Sequence, residues 1–328
     1  MPVPRVFELD DGAGLRVALM DIGATWLSCR LRLPEGGERE LLLGHARPQD
    51  HLREGGFLGV LIGRYANRIA GARFRLDGIE HALAANEGRH QLHGGPRGFH
   101  SLRWQVLDAG PRELRLRLVS PEGDQGFPGT LAVEAVYAMA APGELSLSWT
   151  AHCTAACPVN LTSHAYFNLD GDARSIAGHR LQIMADEVLP VDTEMIPTGQ
   201  VLPVAGTPFD FRQARRAIGD DGRVYDHCWR LNARCAGARH AAATLTSGDG
   251  RVTMDVFTTL PGLQHYSGQH LAEAHGRDGR PFAPSAGIAL EPQFFPDSPN
   301  RPEWPQPSCV LRPGASMSHS IRWRFGVR

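Results

Sequence analysis

A two-residue alternation of apolar and polar side chains runs through three stretches, RELRLRLVS (112–120), LAVEAVYAMA (131–140) and ELSLSWT (144–150). In the first, Leu114, Leu116 and Leu118 alternate with Arg115 and Arg117. Successive side chains of a strand point to opposite faces, so this spacing predicts β-strands with one face in a core and the other in solvent. The Ala-Pro-Gly tripeptide at 141–143 predicts a turn that joins the last two stretches as a hairpin.

Turn signals continue on both sides of these strands. Further hairpins are predicted at 10–12, 247–250 and 312–314, the last followed by a closing strand at 316–325. The 37 glycines and 24 prolines are spread along the chain, as suits many turns, whereas helical spacing is scarce. Only 45–56 and 210–218 are candidates for short helices. We therefore predict one all-β domain, 1–328, built as a large antiparallel β-sandwich with few short helices.

Composition narrows the function classes. The chain has 328 residues, a formal net charge of −1 and 42% hydrophobic residues, which favours a globular fold and gives no reason to expect nucleic acid as a partner. All 34 basic residues are arginine, which excludes chemistry that needs a lysine Schiff base or a P-loop lysine. Six irregularly spaced cysteines, and no signal-peptide or membrane-spanning run, predict a reduced cytoplasmic protein without membrane contact.

Polar side chains with catalytic potential cluster in segments flanked by apolar residues. Each has an ordinary structural reading: His93 as a loop histidine before two glycines, and His164 as a hydrogen-bonded core histidine. Glu291 follows an apolar run, where a carboxylate is costly to bury unless paired, so it is the stronger functional candidate. The segments are 63–69, 91–95, 160–169, 225–227 and 290–297.

Four further candidates are less distinctive by themselves. Arg68 and Asp226 read equally well as surface charges, and Asn67 and Gln264 as capping or turn amides. Searches for a nucleophile elbow, a dinucleotide glycine fingerprint and a zinc helix find none. The histidines and cysteines lack zinc-finger spacing, so we expect neither a metal nor another cofactor.

Taken together and in order, the five segments resemble the aldose 1-epimerase, or galactose mutarotase, family. The resemblance extends over roughly residues 5 to 325 and includes five further stretches. These are Pro-Val-Asp (190–192), Ile-Pro-Thr-Gly (196–199), Gly-Thr-Pro-Phe-Asp-Phe (206–211), Pro-Gly-Leu-Gln (261–264) and Pro-Asp-Ser-Pro-Asn (296–300). It implies the galactose mutarotase-like supersandwich, with a monosaccharide held in a cleft.

The resemblance also implies roles. Glu291 would be the general base and His164 the general acid, with His93 holding the sugar and its ring oxygen. The expected substrate-binding residues are Arg68, Asp226, Asn67 and Gln264. Opening a hemiacetal ring takes a proton from the anomeric hydroxyl and gives one to the ring oxygen, so a carboxylate and an imidazole suit the two tasks at neutral pH.

Several expectations stay open at this level. Arg89 and Arg97 beside His93, and His265 after Gln264, depart from the family pattern and leave the preferred sugar undecided. Trp229 or Phe294 could cover the apolar face of a sugar. The alternatives are a hexose-phosphate mutarotase, which would need basic groups around the cleft, and a non-catalytic carbohydrate-binding protein. The expected state is a monomer or homodimer.

Overall fold

Most of the regular secondary structure is β-strand, and turns and loops make up much of the rest of the described chain. The computed structural model describes residues 3–172 and 174–328. The strands are β1 (Val6–Asp10), β2 (Leu15–Met20), β3 (Thr25–Arg32), β4 (Glu38–Glu40), β5 (Leu61–Ile62), β6 (Arg68–Ile69), β7 (Arg73–Leu76), β8 (Ile79–Ala82), β9 (Gln91–Leu92), β10 (Gln105–Ala109), β11 (Glu113–Ser120), β12 (Leu131–Ala138), β13 (Glu144–Cys153), β14 (Cys157–Pro158), β15 (Thr162–Ser163), β16 (Tyr166–Phe167), β17 (Arg180–Ile183), β18 (Glu187–Leu189), β19 (Leu202–Pro203), β20 (Arg215–Arg216), β21 (Asp226–Arg230), β22 (Ala243–Thr246), β23 (Val252–Thr258), β24 (Gly262–Tyr266), β25 (Ile288–Gln293), β26 (Val310–Leu311) and β27 (Met317–Val327).

The helical segments are all short 3₁₀ turns within the described residues. They are Pro48–Leu52, Ala70–Ala72, Phe99–Ser101, Asp124–Gly126, Ala233–Ala238, Leu271–Glu273 and Ser298–Asn300. The sequence analysis expected a short helix in 45–56, and one 3₁₀ turn lies there. The other expected helix, at 210–218, is wrong, because β20 occupies part of that segment. None of the helices in the described ranges is long and apolar enough to span a bilayer.

The alternating stretches form the centre of a nine-stranded sheet. Its order is β10-β11-β12-β13-β27-β23-β22-β17-β20, and its neighbours are antiparallel. Along β11 the leucines are buried and Arg115 and Arg117 are exposed, as the two-residue period predicted. The hairpins at 10–12, 141–143 and 247–250 are confirmed. The turn at 312–314 instead joins β26 to β27, which lie in different sheets.

Two other sheets pack against this one around a common core. A four-stranded sheet has the order β1-β2-β3-β4, and a six-stranded sheet has the order β16-β25-β24-β21-β18-β19. Trp26 of β3 is fully buried, with its ring centroid 4.9 Å from that of Trp323 in β27 and 5.8 Å from that of Phe167 in β16. One side chain thus contacts all three large sheets, which gives the sandwich a continuous apolar interior and confirms the predicted fold class.

Candidate active site

The six-stranded sheet supplies one wall of a cavity of about 390 Å³. Gln264 of β24 lies directly opposite Glu291 of β25, and Asp226 of β21 lies opposite Tyr266 of β24. Paired residues share a face of an antiparallel sheet, and residues two apart along a strand do too. The register therefore brings these four side chains, distant in sequence, to one surface; Asp226, Tyr266 and Glu291 line the cavity there, whereas Gln264 does not line it and bonds to Asp226.

Two loops supply the facing wall. Strands β6 and β9 pair Arg68 with Leu92, which places Asn67 beside His93. The His93 amide donates to the Asn67 carbonyl, and the Asn67 amide donates to Nδ1 of His93, both at 3.1 Å. Gly94 must be glycine here, because it has a φ of 83° and a Cβ would collide with the carbonyl of Gly63.

His164 enters between β15 and β16. Its backbone is held on both sides, with its amide bonded to the Val60 carbonyl and its own carbonyl bonded to the Gly59 amide. Its Nε2 lies 3.7 Å from Oε1 of Glu291, and the two side chains are 5% and 2% exposed. This separation exceeds a hydrogen bond, so each group retains the capacity to bind a substrate atom between or beside them.

Burial drives both members of this pair toward their neutral forms. It raises the pKa of Glu291 well above its usual value, with Asp226 adding to the rise and Arg68 opposing it. It lowers the pKa of His164 to about 4. A neutral pair and a Glu⁻–His⁺ pair each carry one proton in total. The two forms differ only in which partner holds that proton, so the proton can pass between Glu291 and His164 without exchange with solvent.

One side of the cavity is a chain of hydrogen bonds and charge contacts among Glu87, Arg68, Asp226 and Gln264. Arg68 donates from Nε and Nη2 to the two oxygens of Glu87, at 2.6 and 2.8 Å, and its Nη1 lies 3.8 Å from Asp226. Gln264 donates to the other oxygen of Asp226 at 2.6 Å. Burial opposes the charge of Arg68, but the bond to Glu87 and the attraction of Asp226 raise its pKa overall. The arrangement offers several fixed donors and acceptors to a polyhydroxylated ring.

The sequence analysis missed Glu87 and the aromatic lining. Glu87 lies in a turn without periodic pattern, and nothing in the sequence pairs it with Arg68. Phe57, Tyr166 and Tyr266 line the cavity. Trp229 and Phe294 do not, which corrects that expectation: both are buried in the apolar core. The sequence could have excluded Trp229, because it lies three residues from Asp226 along β21 and therefore on the opposite face of the strand.

The three residues that depart from the family pattern, Arg89, Arg97 and His265, lie away from the cavity. Arg89 is exposed and pairs with Glu194 at the surface. Arg97 is exposed, and its backbone amide donates to Gln125. His265 is fully buried on the reverse face of β24, with ring centroids 5.1 to 5.7 Å from those of Tyr225, Phe211 and Trp229. None of them adds a positive charge to the cavity.

A metal would find three donor residues in this cavity, but the groups around the two histidines do not suit metal binding. Ligand atoms of His93, His164 and Glu291 lie within 4.8 Å of one another. A metal-bound histidine normally donates its other N–H to an acceptor. His93 Nδ1 instead accepts from the Asn67 amide, and His164 Nδ1 has no partner among the described residues. Since burial also keeps His93 neutral by lowering its pKa well below normal, its proton belongs on Nε2. The residues therefore do not fit a resident metal.

Fold and cavity together define a β-sandwich enzyme that moves protons on a hydroxyl-rich ring. The comparisons with known proteins agree. The aldose 1-epimerase family model matches residues 5–324. The chain is 45% identical to aldose 1-epimerase of Escherichia coli K12, over 98% of this chain and 95% of that one, and 38% identical to human galactose mutarotase, over 95% and 92%.

Solved structures give the same result. The crystal structure of an aldose epimerase homologue from C. elegans superposes with a TM-score of 0.93 at 28% identity, covering 99% of both chains. Galactose 1-epimerase from Lactobacillus acidophilus superposes with a TM-score of 0.82 at 27% identity, over 98% of this chain and 93% of that one. The chain belongs to the aldose 1-epimerase family, and it is an enzyme of the epimerase class with mutarotase activity.

Proposed function

We propose that the reaction interconverts the α and β anomers of a free aldose, such as galactose or glucose, with Glu291 as base and His164 as acid. The observation that carries the assignment is the approach of Nε2 of His164 to within 3.7 Å of Oε1 of Glu291, inside a cavity lined by hydroxyl-binding groups. The ring oxygen and the anomeric hydroxyl share one carbon. A base and an acid this close can therefore reach both oxygens of one sugar.

The steps balance within the pair. In the Glu⁻–His⁺ form of the pair, Glu291 takes the proton of the anomeric hydroxyl, the bond from the anomeric carbon to the ring oxygen breaks, and protonated His164 gives its proton to that oxygen. The open-chain aldehyde turns about its first carbon–carbon bond. On reclosure the hydroxyl attacks the other carbonyl face, His164 recovers its proton, and Glu291 returns its proton to the new anomeric oxygen. Ring opening leaves both side chains neutral, which is the state that burial favours.

The other residues hold the sugar. Nε2–H of His93 is free to donate to an oxygen near the ring, because Nδ1 is occupied by the Asn67 amide. Asp226, Gln264 and Arg68 bind the hydroxyls, and Asn67 fixes the loop that carries His93 and Arg68. We assign Glu87 as a positioning residue, because its two bonds hold the Arg68 guanidinium in place.

A free sugar suits the cavity better than a phosphorylated one. Three carboxylates line it, Glu87, Asp226 and Glu291, whereas Arg68 is the only arginine or lysine in its described lining. Both oxygens of Glu87 already engage that arginine, so a phosphate dianion would meet net negative charge. A non-catalytic carbohydrate-binding protein would not need the buried pair of His164 and Glu291.

Three further expectations stay proposals. We propose residues 1–328 as one domain, supported by the family match over 5–324. Six free thiols support a reducing, cytoplasmic setting. A monomer or homodimer remains the expected state.

The test is polarimetry of freshly dissolved α-galactose and α-glucose with the wild type, E291Q and H164N. E291Q keeps the side-chain shape, and H164N replaces the imidazole by a smaller polar amide; both remove proton transfer, so we expect each to lower turnover by about 10²- to 10⁴-fold. Circular dichroism should show an unchanged fold. Rates near that of the wild type in either variant would refute the assigned roles.

A further inference from the structure

Three residues that line the catalytic cavity have a left-handed backbone although none of them is glycine. Phe57 has a φ of 55°, Asn67 a φ of 67° and His93 a φ of 54°. Asparagine and histidine are enriched in this conformation, whereas a bulky residue such as phenylalanine is an outlier there. Strained backbone of this kind collects at functional sites, where the surrounding structure holds it in place. The strain at Phe57 therefore calls for a functional explanation.

The turn that follows Phe57 ties it to the catalytic acid. The Val60 amide donates to the Phe57 carbonyl at 3.4 Å, and Gly59, with a φ of 71°, has no space for a Cβ beside the Trp26 carbonyl. Gly59 and Val60 are also the residues that bond to the carbonyl and the amide of His164. The backbone of this turn thus fixes the position of Phe57 relative to His164.

The ring of Phe57 completes a cluster of three rings with two histidines of the cavity. Its centroid lies 4.8 Å from that of His93, with the ring planes at 68°, and 5.9 Å from that of His164. The two imidazoles are 5.1 Å apart and nearly perpendicular, at 86°. Edge-to-face packing limits how far each ring can turn. Because Nδ1 of His93 accepts from the Asn67 amide, a turned imidazole would lose the bond that places its proton on Nε2.

Phe57 also separates the catalytic cavity from a neighbouring one. Together with Gly56 it lines both the catalytic cavity and a second cavity of about 500 Å³. The lining of the second cavity includes the exposed residues Arg53 and Pro96, so water can enter it. Loss of the phenyl ring would join the two cavities and bring that water to His93.

We propose that Phe57 is a positioning residue for His93: its ring holds the imidazole in the orientation that presents Nε2–H to the sugar, and it keeps water from that imidazole. The proposal rests on the proposed function, in which His93 binds an oxygen of the sugar. A glycine at position 57 would adopt the same backbone without strain, so only the ring accounts for a phenylalanine there.

The first test removes the ring and leaves the backbone unstrained. F57G should raise KM for galactose by about tenfold or more and change kcat by less than about threefold, because His93 binds a sugar oxygen and transfers no proton. F57Y keeps an aromatic ring and should stay within about threefold of the wild type in both constants. A238G is the control, since Ala238 has a φ of 56° outside the lining of the cavity, and it should change neither constant.

A double-mutant cycle shows whether Phe57 acts through His93. In H93N the imidazole is absent, so adding F57G should change KM by less than about twofold. Losses that multiply in the double variant, or a wild-type KM in F57G, would refute the positioning role and leave the assignment of Glu291 and His164 intact. If H93N itself has the wild-type KM, the proposed role of His93 fails, and that of Phe57 fails with it.

The protonation of the imidazole gives a readout that does not depend on turnover. Burial lowers the pKa of His93 well below its usual value, and the charges of His164, Arg68 and His100 lower it further, while Glu291 faces it with an oxygen within 4.8 Å of a ring nitrogen. Water admitted by F57G should raise this pKa toward about 6.5. ¹⁵N NMR of the histidine rings in the sugar-free protein should then show His93 taking up a proton between about pH 7 and pH 5 in F57G but not in the wild type. A His93 that stays neutral in both proteins would show that the ring does not shield it, and the proposal would be wrong.

Discussion

The two halves of the active site are built differently. On the hydroxyl-binding side, Glu87, Arg68, Asp226 and Gln264 are joined by hydrogen bonds of 2.6 to 2.8 Å and one contact of 3.8 Å. On the proton-transfer side, His164 and Glu291 approach only to 3.7 Å. Nδ1 of His164 and Oε2 of Glu291 are buried without a hydrogen-bond partner among the described residues.

This difference follows from what each half does. Hydroxyl-binding groups have to be in place before the sugar arrives, and mutual hydrogen bonds fix them at little cost. Proton-transfer groups must keep atoms free for the substrate. An unpartnered buried polar atom costs roughly 1–3 kcal/mol, which a protein tolerates where function requires it. One half is preorganised by bonds, and the other is held by packing and by backbone.

The largest test of this contrast is the double variant H164N/E291Q. Both residues act in one transition state, so losing either leaves the other without a matching step. We expect the double variant to lose about as much kcat as the worse single variant, about 10²- to 10⁴-fold, and not the product of the two losses. The wild type, the two single variants and the double variant form a double-mutant cycle, and polarimetry gives kcat for each.

Multiplying losses would mean that the two side chains act in separate steps, and the shared role proposed for the pair would be wrong. Tryptophan fluorescence of all four proteins checks that the core containing Trp26 and Trp323 remains packed.

A smaller effect is expected on the preorganised side from E87Q. Losing the charge weakens the hold on Arg68, so KM should rise by about tenfold while kcat changes less. Arg68 lowers the pKa of Glu291, and the carboxylate of Glu87 partly cancels that effect. With Glu87 replaced by glutamine, the pKa of Glu291 should fall, so the acid limb of kcat/KM should move to lower pH.

The matched control is E194Q, which removes the same charge from the surface pair with Arg89. It should change neither KM nor the pH profile. A fall in kcat at constant KM in E87Q would contradict its role as a positioning residue for substrate binding.

Sequence alone could predict the strands and name the candidates. The leucine–arginine alternation of β11 predicts which of its side chains are buried, and the sequence motifs identify Glu291 and His164 as candidates. What it could not supply was the partner of each group. The 38 positions between Asp226 and Gln264 become a hydrogen bond only through the pairing of β21 with β24.

Other failures have the same cause. Glu87 reaches Arg68 across a loop, and a turn residue has no periodicity that reports its contacts. The segment 210–218 contains apolar residues at helical spacing, but pairing with β17 extends part of it as β20. Tertiary contacts override local preference in such short segments.

The smallest predicted effect concerns His265, a buried histidine that, unlike His164, has no carboxylate within 4 Å among the described residues. It is neutral at pH 7 because burial lowers its pKa to about 3, aromatic rings lie against it, and it does not line the catalytic cavity. A folded-state pKa below the unfolded value of about 6.5 means that the unfolded chain binds the extra proton, so stability is lost as pH falls below about 6.5. H265F should leave kcat unchanged. Between pH 8 and pH 5, its free energy of unfolding relative to the wild type should move by about 2 kcal/mol in favour of the variant, whatever the packing offset at pH 8. Urea unfolding at the two pH values measures this shift. No shift would mean that the pKa of His265 in the folded protein is close to its unfolded value, and burial against aromatic rings would then not keep this imidazole neutral.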